Sequence, residues 1–345
     1  MTPGLRRSLM FLIDIGVPFI AATAAGLHRA ALLGAVTGLL CSFADENNAP
    51  LPRRLRTLGF AAGGVAVGGL CGHWLIDYPP AFWVLFVTAV FAAGWLNAFG
   101  KGPHMGVRFG AIALGIISGT SGITPDLVLV PLAAAALTLL VRIVDHVLNG
   151  PMPPPEGFRP PGKPSRHRDW ARFSLAYAAA AVIGLWIGVR YGATRAIWVT
   201  VAPLVVMQPE AQASYRRVIE FVIGTAIGVS VAFALTWIVQ STAVLCLIVL
   251  LLAALIPGQF PQRFWLQTAM IATMVLTAYR FAVNDINVVR PLIVERLEDI
   301  AIGCVLAVLG TIIAFAEQPR AATVEVAIKP TEAGPAVPSE SSARQ

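Results

Sequence analysis

The chain has 345 residues, of which 57% are hydrophobic and only 12% charged, with a mean hydropathy of +0.74. Ordinary soluble domains carry about 25% charged residues, so this composition rules out a water-soluble enzyme or nucleic-acid-binding domain. A formal charge of +7 and a pI near 9.7 would otherwise invite the second reading. The basic residues sit in short loops between apolar runs, which is the pattern of membrane topology rather than of a phosphate-binding surface.

The first apolar run covers 8–27, after a basic start at Arg6 and Arg7. It is longer than the core of a secretory signal and is interrupted by Asp14, so it is expected to stay as a first span. A carboxylate inside hydrocarbon must face a cavity, find a cation or take up a proton. Asp14 is therefore the candidate proton-coupling residue, and Arg7, two turns away, is the partner the sequence offers against that role. Further runs follow at 29–43, 57–75, 81–98, 106–122 and 126–147. Six more come at 171–189, 193–207, 217–239, 242–257, 264–280 and 293–316. The fold class expected is an all-α polytopic membrane protein of about twelve transmembrane helices, arranged as two six-helix parallel repeats. The runs 29–43 and 193–207 fall short of the roughly 20 residues of a straight span, so a kink, a tilt or a re-entrant turn is expected there.

Between the sets of six lies NGPMPPPEGFRPPGKPSRHRDW, dense in proline and basic residues as an extended connector would be. The organisation expected is a first membrane repeat at 1–147, a Pro-rich basic cytoplasmic linker at 148–170, a second repeat at 171–316 and a disordered cytoplasmic tail at 317–345. Nineteen of the 25 Lys and Arg residues fall on the side of both termini and the linker. Only Arg29, Arg190, Arg195, Arg280, Arg290 and Arg296 fall opposite, so the termini are expected in the cytoplasm. The two sets also look alike. GLHRAALLGAVTGLL (26–40) and PRRLRTLGFAAGGVAVGGL (52–70) parallel GVRYGATRAIWVTVAPLVV (188–206) and YRRVIEFVIGTAIGVSVAFAL (215–235), at an offset of about 161–166 residues. Parallel repeats in a membrane chain point to a transporter or pore built around a pseudo-two-fold axis along the membrane normal.

The stretch MQPEAQASYRRVIEFVIGTAIG, with Gln208, Pro209, Arg216, Arg217, Gly224 and Gly228, resembles the fusaric acid resistance (FUSC) and aromatic acid exporter superfamily. IVERLEDIAIGCVLAVLGTII (293–313), with Glu295, Arg296, Asp299 and Gly303, is similar to that family's last helix. The resemblance covers most of 171–316. It implies a bacterial inner-membrane protein that exports aromatic carboxylic acids, often with a periplasmic adaptor. Plant aluminium-activated malate channels are distant relatives in which two six-helix units pair. The longer exporters add a sizeable cytoplasmic domain; within these residues only the linker and the tail stand in its place.

Outer arginines attract carboxylates, and a guanidinium holds one bidentately while staying charged. Arg29 and Arg195, at comparable points of the two repeats, with Arg190, Arg280 and Arg296, are the candidate anion-binding residues. Trp198 is the candidate for stacking on an aromatic substrate. Glu295 and Asp299 share a helix face near the start of the last span, where the helix dipole is itself a sufficient reason for acidic residues. The glycines at 63, 64, 68 and 69 and at 224 and 228 are expected to serve close helix contact. Arg216 is placed to pair with Glu220. His and Cys residues lack metal spacing, and no nucleophile or phosphate-loop motif occurs, so neither enzyme activity nor a cofactor is expected. The lipid bilayer and small organic anions are the partners expected, with an adaptor protein and a second copy of the chain as candidates and no nucleic acid. Three functions fit: proton-coupled export of organic, aromatic carboxylates; a passive organic-anion channel; or a membrane scaffold of envelope assembly.

Overall fold

The computed structural model describes residues 2–46, 49–118, 124–151, 167–191, 196–259, 263–282 and 286–316. Among these the chain forms twelve α-helices and no strand. The first six are α1 (Pro3–Ala24), α2 (His28–Ala44), α3 (Leu51–Trp74), α4 (Pro79–Leu96), α5 (Lys101–Ser118) and α6 (Asp126–Asn149). The last six are α7 (His167–Arg190), α8 (Ile197–Val206), α9 (Ala211–Ile238), α10 (Thr242–Leu255), α11 (Phe264–Ala282) and α12 (Ile286–Phe315).

Local chemistry explains many boundaries. Thr2 caps α1 by accepting the Leu5 N–H, and proline opens α1, α3 and α4, where its missing N–H costs nothing. Gly26, Gly100 and Gly150 adopt positive φ just beyond helical segments, a conformation that glycine takes without a Cβ penalty. Among the described residues, seven helical segments are long and apolar enough to cross a membrane, and the molecule is a multi-pass membrane protein. α8 has ten residues and α10 fourteen, about 15 and 21 Å, which is short of a bilayer core.

Glycine sets the closest contacts. A Cβ at Gly64 or Gly68 of α3 would overlap the carbonyls of Gly106 or Gly110 in α5. A Cβ at Gly224 or Gly228 of α9 would likewise overlap those of Trp265 or Ala269 in α11. Gly303 of α12 holds the same relation to Val199 of α8. With no hydrophobic force between helices in lipid, such backbone approach supplies the packing contact.

Neighbours recur six helices on. α1 packs on α2 and α7 on α8; α2 on α6 and α8 on α12; α4 on α5 and α10 on α11. Contacts between the first six and last six helices pair up as well: α4 with α7 and α10 with α1, α5 with α8 and α11 with α2. One apolar core links residues of both sets, from Phe86 and Phe109 to Phe173, Tyr177 and Leu204. A second joins α1 and α2 to α10 and α11 around Phe19 and Val249.

Two sequence expectations change in detail. α12 begins at Ile286, so Glu295 and Asp299 lie in its third and fourth turns, beyond the first-turn reach of the helix dipole. Arg54, ahead of the expected run 57–75, lies within α3, which begins at Leu51.

Candidate functional site

The starts of α2, α4 and α8 and the ends of α5, α7 and α11 surround a cavity of about 220 Å³. Leu33, Val36, Phe82, Ile116, Trp198 and Tyr279 are among its mostly apolar walls. Trp198 meets Tyr279 edge to face, with ring centroids 6.5 Å apart. The Arg296 guanidinium carbon, from α12, lies 3.8 Å from the Trp198 ring centroid. The Arg296 Nη1 is buried and makes no hydrogen bond among the described residues. Asp299, one turn on and buried, supplies a balancing charge. Trp198 lines the cavity and Arg296 does not; a cation held on an indole face with one N–H unused has the chemistry to take a carboxylate.

At the opposite helix ends, the first six helices bury a charged cluster. Arg142 of α6 is wholly buried and bridges two carboxylates: its Nη2 donates to Asp14 Oδ2 at 2.7 Å and its Nε to Asp45 Oδ2 at 2.5 Å. Ser42 Oγ donates to the same Asp14 oxygen at 2.6 Å, while Asp14 Oδ1 is buried and has no hydrogen-bond partner among the described residues. Arg54 of α3 donates twice to Asp45, at 2.8 and 3.0 Å, and stands 3.8 Å from Asp145. Arg6 forks onto Asp145 at 2.5 and 2.7 Å. Three arginines thus meet three aspartates, so the desolvation cost of each charge is offset by its partners. Burial would raise the Asp45 carboxyl, but hydrogen bonds and charge from Arg54 and Arg142 outweigh it and hold it below its ordinary value of 3.8.

The predicted residues separate into groups. Arg296 and Trp198, 98 positions apart, come into direct contact. Arg29 and Arg190 are exposed and Arg280 half-buried, and none of the three lines the cavity. Arg195 lies outside the described residues. Asp14 is partnered by Arg142 rather than by Arg7, whose charge acts on Asp45 and Arg54. In the quoted stretch, the Gln208 N–H donates to Ser214 Oγ at 2.8 Å, which turns the chain at Pro209 into α9. Arg216 pairs with Glu220 at 2.7 Å as expected, while Arg217 turns inward to stack on Phe264, 5.3 Å from its centroid. Sequence reasoning missed Arg142, Asp45, Arg54 and Arg108. The signal for Arg142 and Asp145 was a pair of charges inside an apolar run, of the same kind as Asp14.

Residues 175–310 match the sequence model of the family described as fusaric acid resistance protein-like. No curated protein and no solved structure matches the chain. The matched span runs from α7 into α12 and includes Trp198, Gln208, Arg217, Arg296 and Asp299.

Proposed function

We propose that the chain is an inner-membrane transporter exporting aromatic carboxylates, a reading supported by the match of residues 175–310 to the fusaric acid resistance protein-like family. The observation that carries this reading is the Arg296 guanidinium stacked at 3.8 Å on Trp198, at the wall of the cavity between the two sets of helices. A benzoate-sized acid would place its ring against Trp198 and Tyr279 and its carboxylate on the free edge of Arg296. An open cavity at that junction supports transport over a scaffold, which calls for a packed one.

Repeats at 1–147 and 171–316, joined by the linker 148–170, form the two sides of this path in our reading. The recurrence of neighbours six helices on and the matching glycine pairs support it. The tail at 317–345 and both termini are assigned to the cytoplasm by the positive-inside rule. The cavity then opens toward the periplasm, where an adaptor would dock, and the charged cluster lies at the cytoplasmic ends. Asp14, with one carboxylate oxygen free of hydrogen bonds, is the proton carrier of an antiport cycle.

Reconstitution tests this. Proteoliposomes holding labelled 4-hydroxybenzoate should release it faster with the protein present and faster again with a proton gradient. Arg296→Gln removes a charge-assisted contact worth roughly 1.5–3 kcal/mol, and Trp198→Ala removes the stacking surface; each should lower carboxylate flux by about tenfold or more. Flux indifferent to both substitutions overturns the site. Flux indifferent to the proton gradient and to Asp14→Asn selects a passive channel instead.

A further inference from the structure

A second, smaller cavity of about 40 Å³ lies inside the first set of helices. Its walls come from α2, α3, α5 and α6 alone, and Thr37 is the one polar side chain among them. Leu33 and Val36 of α2 and Ile116 of α5 line both this space and the cavity at Trp198, so three aliphatic side chains form the partition between the two. At its other end the second cavity runs down to Leu40 of α2, Ala62 of α3 and Ala135 of α6. The same three helices carry the charged cluster. Ser42, two residues or about 3 Å along α2 from Leu40, donates to Asp14 Oδ2 at 2.6 Å. Arg142, seven residues or about 10 Å along α6 from Ala135, donates to that oxygen at 2.7 Å. Gly38, next to Thr37, lies so near the Asp14 carbonyl that a Cβ there would overlap it.

Size and wall chemistry decide what can use this space. A cavity of roughly 150 Å³ holds a benzene ring, whereas one water needs roughly 10–15 Å³. The second cavity is thus too small for an aromatic acid and large enough for a few waters. With a single hydroxyl on its walls it does not hold them stably, since an apolar cavity stays dry. Apolar constrictions of this kind gate by wetting and dewetting. Water that fills the space briefly can carry a proton, while a carboxylate stays on the far side of the partition. Asp14 is placed to receive that proton. Its Oδ1 is buried and has no hydrogen-bond partner among the described residues. Protonation there leaves Arg142 its second carboxylate, Asp45, at 2.5 Å, so the guanidinium is not stranded. The charged or titratable groups that face Asp14 are Arg142 from α6 and Cys41 and Asp45 from α2 and its end. α10, also packed on α1, sets Leu250 against Gly16 and carries Cys246 as its one titratable group; the turn Ile256–Gln259 carries none.

We propose that the second cavity is a gated proton route from the cavity at Trp198 to Asp14. Leu33, Val36 and Ile116 close it at rest, transient wetting opens it, and cargo and proton part at those three side chains. The route rests on the reading of the chain as a proton-coupled exporter, to which it adds the path and its gate.

Proton flux measured without cargo separates the gate from the exporter reading. Full-length protein in proteoliposomes loaded with pyranine is challenged with acid outside. Val36→Thr keeps the side-chain size and places a hydroxyl in the partition, so acidification of the lumen should be faster than with the wild type. Asp14→Asn in that variant should restore the wild-type rate, because it removes the proton's next station. A leak that persists, or no leak at all, overturns the route. Ala135→Leu fills the second cavity and does not line the one at Trp198. It should abolish the acceleration of 4-hydroxybenzoate efflux by a proton gradient and leave equilibrium binding of 4-hydroxybenzoate unchanged. Acceleration retained in Ala135→Leu overturns the route and leaves the exporter intact. A wild type whose efflux ignores the proton gradient removes proton coupling itself, and the route with it. Should overpacking unfold Ala135→Leu, Thr37→Val takes its place: loss of the one hydroxyl should slow proton-driven efflux, and an unchanged rate overturns the route.

Discussion

Arg142 shows how one side chain changes the meaning of another. Asp14 in isolation is a carboxylate stranded in an apolar run; with Arg142 and Ser42 it is one corner of a buried, balanced cluster. Removing one partner of a buried pair leaves the other charge uncompensated, at a cost of about 3–5 kcal/mol. Arg142→Gln should lower the unfolding midpoint in detergent markedly. Asp14→Asn in that background should cost less than in the wild type, because the charge it removes is already unpaired. Additive losses would show that the bridge carries no coupling. Asp45 supplies a pH signature. Its folded value lies below 3.8, so the unfolded chain binds more protons than the folded one in that window. Its contribution is complete above the unfolded value and is lost as pH falls through the folded one. Thermal unfolding scanned down from neutral pH should show an acid loss that Asp45→Asn diminishes; an unchanged acid loss would assign it to other carboxylates.

Among the elements, the glycine contacts of α3 with α5 and α9 with α11 set how near the helices come. Gly68 meets backbone atoms of Gly110, which cannot rotate aside as a side chain would. Gly68→Leu should therefore part the helices and cost roughly 1–3 kcal/mol or more through overpacking. Gly63→Leu, five residues away on another face and with open space at its Cβ, should be tolerated. Unfolding midpoints of the two variants check this, and equal effects would show that the α3–α5 approach is not as close as described. These stripes were legible in the sequence as small-residue spacing. Which glycine of each pair faces the partner was not, because that depends on how the helix is rotated. The ERLED segment was misplaced for a similar reason: α12 extends back to Ile286, so its acidic residues lie well past the helix start.

At the scale of the molecule, contacts between the two sets of six helices run through α4 with α7, α1 with α10, α5 with α8 and α2 with α11. Both apolar cores cross that junction. If the sets are repeats that fold as units, cutting the chain within 152–166 should leave two pieces that assemble. Co-expressed fragments ending and starting in that stretch should co-purify in mild detergent and restore carboxylate flux. Fragments that fail to associate would mean that the continuous chain is needed to bring the sets together.

The amino-acid sequence alone determined the membrane class, the succession of helices and the likeness of residues 175–310 to the fusaric acid resistance protein-like family. Those follow from composition, apolar run length and a short stretch of consecutive residues, all of which are local properties. It also supplied Arg296 and Trp198 as separate candidates. Only the tertiary structure could join them, match Asp14 to Arg142 across 128 positions and turn Arg217 inward while Arg216 faces out. Charge partners in a helical membrane protein are chosen by which helices are neighbours and how each is rotated, and neither is encoded in the spacing of residues along one helix.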